Sequence, residues 1–196
     1  MFLEEPPATD AGRSLHADDR ESQGYVDNLT RLWCWRPELM QQFSALRGSL
    51  MEATELSDVD LAVLNVSTAA ARQSSYCALA KGRGLAGLTD TESAAAVVAG
   101  SVDGLDPRTA ALANWAKQVA LQPSSTSRED LQALRDLGLS DEEIFDATMT
   151  VALRVMFSTV NDALGAQPDA QLAQRVPAAV RAAVTYGREP ASTPST

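Results

Sequence analysis

The sequence is poor in the residue types that most catalytic and metal-binding chemistries need. It has one His, His16, and two Cys, Cys34 and Cys77, in 196 residues. A single His without patterned Cys or Glu partners cannot build a tetrahedral metal site, so no metal is expected. The same scarcity excludes a Ser-His-Asp apparatus, because His16 sits alone in the acidic leader Ser14 to Asp19. Two Cys are too few for a disulfide framework and point to a reducing compartment, with the cytoplasm as the expectation. Aromatics make up only 5%; Trp33, Trp35 and Trp115 read as core or interface anchors rather than stacking platforms. No apolar run approaches the roughly eighteen residues that span a bilayer, so no membrane partner is expected. Met1 to Ser22 is acidic and contains Pro, unlike a signal peptide. Basic residues are also few: 16 Lys and Arg against 26 Asp and Glu give a net charge of -10. Without a basic stripe, nucleic acid is not an expected partner. No Gly-rich phosphate loop is present, and no cofactor is expected.

What the sequence has is Ala, and with it helix. Hydrophobic residues reach 45%, weighted towards the best helix former rather than towards the β-branched and aromatic residues of strands. Start signals recur: Ser57-x-x-Asp60, Thr89-x-x-Glu92, Thr126-x-x-Glu129 and Ser140-x-x-Glu143 each precede apolar residues. Pro37 and Pro107 stand where a first-turn Pro belongs. After Pro37, the residues Leu39, Met40, Phe43, Leu46 and Leu50 form a helical stripe. Gly100, Gly104, Gly138 and Gly165 mark stops. Two segments, Leu61 to Ala71 and Ile144 to Val160, are apolar on nearly every face and belong in a core or a subunit interface. The expectation is an all-α, single-domain bundle of about seven or eight helices over residues 23–187. Residues 1–22 form an N-terminal arm and 188–196 a C-terminal tail, because neither segment shows periodicity.

The stretch with chemistry in it is Ser74-Ser75-Tyr76-Cys77-Ala78-Leu79-Ala80-Lys81. It stands among further landmarks: Gly24-Tyr25-Val26-Asp27-Asn28, Pro37-Glu38-Leu39, Leu56-Ser57, the run Asp136 to Ile144, and Asn161-Asp162-Ala163-Leu164-Gly165. In this order and spacing the chain resembles the alkylhydroperoxidase D-like and carboxymuconolactone decarboxylase superfamily, in its peroxidase-related branch, over most of Gly24 to Asp169. The resemblance implies an all-α fold and a homo-oligomer. It also implies a site patterned Glu-x11-Cys-x2-Cys-x3-His, in which the second Cys attacks peroxide, the first resolves it, and Glu and His relay the proton. Carried onto this chain, the attacking Cys is Cys77. The resolving Cys falls on Ser74, the His on Lys81 and the Glu on Ala62. The nearest acid, Asp60, would serve only with a two-residue insertion before Ser74.

With Ser74 as a cap, Cys77 falls in the first helical turn, where the helix dipole favours thiolate. Lys81, four residues on, shares its face. Such a sulfur attacks a small hydroperoxide to give a sulfenic acid, and turnover then calls for an external thiol reductant, Cys34, or a Cys of a second subunit. The candidate site residues are therefore Cys77, Lys81, Ser74 and Asp60. Two alternatives stay open: a catalytically silent binding or scaffold protein in which Cys77 is a small buried hydrophobe, and an acid/base enzyme like the lactone decarboxylases. Arg154, inside the second apolar segment, needs either a carboxylate partner or a place lining the active-site pocket.

Overall fold

A computed structural model describes residues 1–192, so Thr193–Thr196 of the expected tail lie outside the described residues. Among the described residues there are α-helices, one 3-10 turn and no strand. The helices are α1 (Asp10–Gln23), α2 (Asn28–Trp33), α3 (Pro37–Ala53), α4 (Asp58–Ala71), α5 (Ser75–Leu88), α6 (Thr91–Val98), α7 (Pro107–Leu121), α8 (Arg128–Asp136), α9 (Asp141–Ala163), α10 (Ala170–Arg175) and α11 (Ala178–Ala183). That is more than the seven or eight expected. The additions are α1, in the segment read as an arm, and the six-residue helices α2, α10 and α11, each too short to show a period. The chain from 188 to 191 is also tied down: Ala191 N donates to Pro168 O at 2.8 Å.

The starts follow local chemistry. Ser57 with Asp60 and Ser140 with Glu143 form full capping boxes, and Asp106 accepts from Arg108 N and Thr109 N ahead of α7. Two expected starts move by one residue. Asp90, not Thr89, caps α6, because the Thr89 hydroxyl donates to Leu85 O at 2.9 Å and belongs to the end of α5. Ser127 with Asp130, not Thr126 with Glu129, boxes α8. Gly138 closes α8 in the left-handed conformation, φ +89°. Leu139 N reaches back to Leu134 O at 3.2 Å, the bond pattern that ends many helices.

Helix α4 is the central element, packed by α5, α6, α7 and α9. Its Leu61, Val63, Leu64 and Val66 are buried, so its all-round apolarity is matched by neighbours on every side. Helix α9 is buried on one side only; Phe145 and Met156 remain exposed. The stripe of α3 also divides. Leu39 and Leu46 are exposed, whereas Phe43 is buried. The inward face therefore runs Met40, Phe43 and Leu50, with the exposed Arg47 at its margin. Leu39, Leu46 and Met156 instead border an apolar groove between α3 and α9. No helix among the described residues is long and apolar enough to cross a membrane.

Candidate functional site

Helix α5 is set in place before its first turn. Gln73 adopts φ +54°, rare for a residue with a side chain, and Ser74 N donates to Ala69 O at 2.9 Å, so α4 folds back sharply into α5. Tyr76 donates a short hydrogen bond to Asp169, which also accepts from Asn28 N at 3.0 Å. Ser75 Oγ donates to Arg188 O at 2.7 Å and accepts from Arg188 N at 2.9 Å. A Cβ on Gly187 (φ +73°) would sit 2.7 Å from that Ser75 oxygen, so the C-terminal strap closes against the turn only with a glycine there.

Cys77 is thereby fixed in the first turn of α5, as the sequence predicts. The residue is 3% exposed and belongs to a buried cluster with Trp33, Phe43, Leu153 and Phe157. Phe157 stacks on Trp33 at 5.4 Å and on Phe43 at 5.1 Å between centroids. The surroundings of the sulfur are not wholly hydrocarbon. Ser158 Oγ donates to it at 3.3 Å and Arg154 Nη1 at 3.8 Å. Arg154 itself is held by Asn65 Oδ1 at 2.8 Å and lies 5.5 Å over the Phe157 ring. Negative charge arising on Cys77 is met by a guanidinium and a hydroxyl already in position, which is preorganised electrostatic stabilisation.

Beside the sulfur is a cavity of about 230 Å³ between α3, α4, α5 and α9. Arg154 lines it and reaches the sulfur, and Phe43 and Leu153 belong both to its wall and to the buried cluster that holds Cys77. Lys81 lines the same cavity. Burial pushes its ammonium down to about 8; Arg154 and Arg47 repel it further, and the Cys77 sulfur works the other way. A proton donor of this strength is matched to neutral pH. Ala62, where strict counting puts the missing Glu, also lines the cavity. Asp60 does not line it.

Two candidate residues fall outside it. Asp60 serves the α4 capping box, accepting from Ser57 N at 3.2 Å, and pairs with Arg108 at 3.1 Å. Arg108 in turn reaches Glu143 at 3.4 Å. An acid tied to that fold-stabilising cluster is not a proton relay for Cys77. Asp60→Ala is expected to cost about 2 kcal/mol of stability from the lost cap and the orphaned Arg108. It should leave the rate of Cys77 oxidation unchanged; a slowed stopped-flow rate with intact folding would return Asp60 to the site. Ser74, the other candidate, stands at the expected N-cap position of α5 and is fully buried, but its hydroxyl makes no cap bond. Burial pushes the Asp162 carboxyl up and Ser74 works the other way, while the Ser74 hydroxyl makes no hydrogen bond to Cys77.

Cys34 looks away from this site. Its sulfur lies 3.3 Å from His16 Nε2 and 3.8 Å from Gly12 O, both on α1. Burial and then Asp19 push its thiol up, while burial and two Arg residues push His16 down. Both cysteines are free. Sequence reasoning missed Arg47, Asn65, Thr150 and Ser158. Arg47 carried a signal, since it lies four residues from Phe43 and three from Leu50 on the inward side of the stripe. Arg154 takes the second of its two expected places. Among the described residues it has no carboxylate partner and lines the cavity.

This arrangement of helices is the fold of the alkylhydroperoxidase AhpD core, with a thiol at the head of its site helix. Two solved peroxidase-related proteins share it. The one from Ralstonia eutropha JMP134 has a TM-score of 0.77 at 23% identity, over 87% of this chain and 93% of its own. The one from Silicibacter sp. TM1040 has a TM-score of 0.77 at 22% identity, over the same shares. The debrominase Bmp8, solved as a Cys-to-Ala variant in complex with 2,3,4-tribromopyrrole, has a TM-score of 0.68 at 16% identity over 94% of this chain and 96% of its own. No protein-family model and no curated protein matches the sequence.

Proposed function

We propose that this protein is a single-cysteine thiol peroxidase that uses an external thiol as reductant. The observation that supports this reading most is the pair of hydrogen bonds donated to Cys77 Sγ by Ser158 and Arg154, beside a cavity holding Lys81. The sulfur attacks the terminal oxygen of a small hydroperoxide, and the O–O bond breaks. Lys81 gives the leaving alkoxide its proton, so an alcohol departs and Cys77 remains as sulfenic acid. Ser74 cannot resolve it and Cys34 faces α1, so two equivalents of an outside thiol return the sulfur to Cys77 with release of water and a disulfide. The exposed apolar edge Leu39, Leu46 and Met156 supports self-association, a second part of the proposal.

The 3% exposure of Cys77 favours a second reading, a buried thiol in a protein that binds without redox turnover. Hydroperoxide titration with sulfenate trapping separates the two. One sulfenate per chain, abolished by Cys77→Ser and retained in Cys34→Ser, is the expected result. Oxidation no faster than that of a free thiol leaves only the second reading.

A further inference from the structure

The same cavity gathers more positive charge than the proposed peroxide reduction uses. Arg47 from α3, Lys81 from α5 and Arg154 from α9 converge on it. Among the described residues none of the three forms an ion pair with a carboxylate. Asp58 stands at the cavity's edge, exposed and outside any ion pair. This is unusual in a chain with 26 acidic residues and a net charge of -10, where counter-ions for three cations are plentiful. Arg154 is only 5% exposed, and uncompensated buried charge is costly unless something supplies the opposite sign. Burial, with mutual repulsion, pushes both Lys81 and Arg47 down from their ordinary values. A separate observation points the same way. Thr150 lines the cavity, is 7% exposed, and its buried hydroxyl has no hydrogen-bond partner. A buried hydroxyl left unmade is a site waiting for an acceptor or donor. The rest of the wall is apolar, with Phe43, Leu61 and Leu153.

We infer that the cavity takes a small organic acid, its carboxylate held by Arg47, Lys81, Arg154 and the Thr150 hydroxyl and its hydrocarbon body against Phe43, Leu61 and Leu153. The hydroperoxide reduced at Cys77 is then one borne by such an acid, and only this last step rests on the function proposed above. Guanidinium groups meet a carboxylate with paired, charge-assisted hydrogen bonds. The cavity volume of about 230 Å³ suits a short acid rather than a long lipid chain.

The test uses full-length Cys77→Ser protein, so that no thiol chemistry intervenes, and calorimetric titration with hexanoate, 1-hexanol and hexylamine. Hexanoate is expected to bind about tenfold or more tighter than hexanol, with hexylamine not binding. Arg47→Met, at the exposed side of the cavity, should weaken hexanoate about tenfold, and Thr150→Val, which keeps the shape, a few-fold. Equal binding of hexanoate and hexanol, or hexanoate binding unmoved by both substitutions, overturns the inference. So does inorganic phosphate binding as tightly as hexanoate, since the hydrocarbon wall would then contribute nothing. A wild-type protein that reduces peroxide but ignores hexanoate removes this inference alone. One that binds hexanoate without oxidising removes only the peroxidase.

Discussion

Lys81→Met is expected to slow oxidation of Cys77 by tert-butyl hydroperoxide about a hundredfold, the usual worth of a positioned proton donor, while making the protein more stable at neutral pH. The two effects have one cause. The Lys81 ammonium is held at about 8 against an ordinary 10.5, first by burial and then by Arg154 and Arg47. Between those values the unfolded chain binds more protons than the folded one, so stability rises with pH across that window. The contribution is complete above 10.5 and is lost as pH falls through 8. Below pH 8 the full cost of keeping an ammonium in the cavity is therefore present. Met removes it and keeps the packing, for a gain of about 1–2 kcal/mol after allowance for the partial solvent screening of a half-buried group. The gain should shrink between pH 8 and 10.5. The charged neighbours are Arg47 on α3, Asp58 on α4 and Arg154 on α9, with the Cys77 sulfur on α5 beside them. Thermal denaturation at pH 7 and pH 10 reads the stability, and stopped-flow fluorescence the rate. A variant less stable than its parent at pH 7 would show that Lys81 is a paired, structural cation after all.

Gly82→Ala, one residue further along α5, should be damaging where the same exchange at Gly87 helps. A Cβ at position 82 would stand 2.8 Å from Val180 Cγ1 and 2.8 Å from Val98 Cγ2. Both valines are fully buried, on α11 and α6. Neither β-branched side chain has a rotamer to escape into, so α5 must shift. Overpacking of this kind costs about 3 kcal/mol, offset by about 1 kcal/mol from the better helix propensity of Ala. The net loss of about 2 kcal/mol corresponds to a fall in Tm of roughly 4–8 °C for a chain of this size. Gly87 has no heavy atom within 4 Å of its would-be Cβ, so Gly87→Ala should gain up to about 1 kcal/mol. Because Gly82 adjoins Lys81, Gly82→Ala should also blunt Cys77 oxidation by displacing the ammonium. Equal Tm values for the two alanine variants would mean that α6 and α11 are not fixed against α5.

Much of this architecture is legible in the residues. The caps at Ser57, Asp106 and Ser140 and the closing glycines are local devices, and local devices are what a sequence states directly. The one-residue slips at Asp90 and Ser127 arise because adjacent Thr and Asp, or Thr and Ser, both qualify as caps. Only the competing bond from Thr89 to Leu85 decides between the first pair. Short helices such as α10 leave no period to read. The thiol, its helix and Lys81 were visible through their spacing, whereas Asp60 was proposed for its proximity in sequence and turns out to be committed to Arg108. The cavity itself was the least legible part. Arg47, Asn65 and Thr150 come from three helices, each chemically ordinary in its own segment. Their convergence is a property of the packing of α3, α4 and α9, and no pattern along the chain encodes it.

The double hydrogen bond between Ser75 and Arg188 joins residues 113 positions apart. During synthesis, then, the thiol-bearing turn emerges from the ribosome long before its latch. Until that latch arrives, the turn that precedes Cys77 lacks the bond that ties it to the C-terminal strap. The enclosure of the sulfur also draws on Leu153 and Phe157 of α9, so it closes only with residues made well after Cys77.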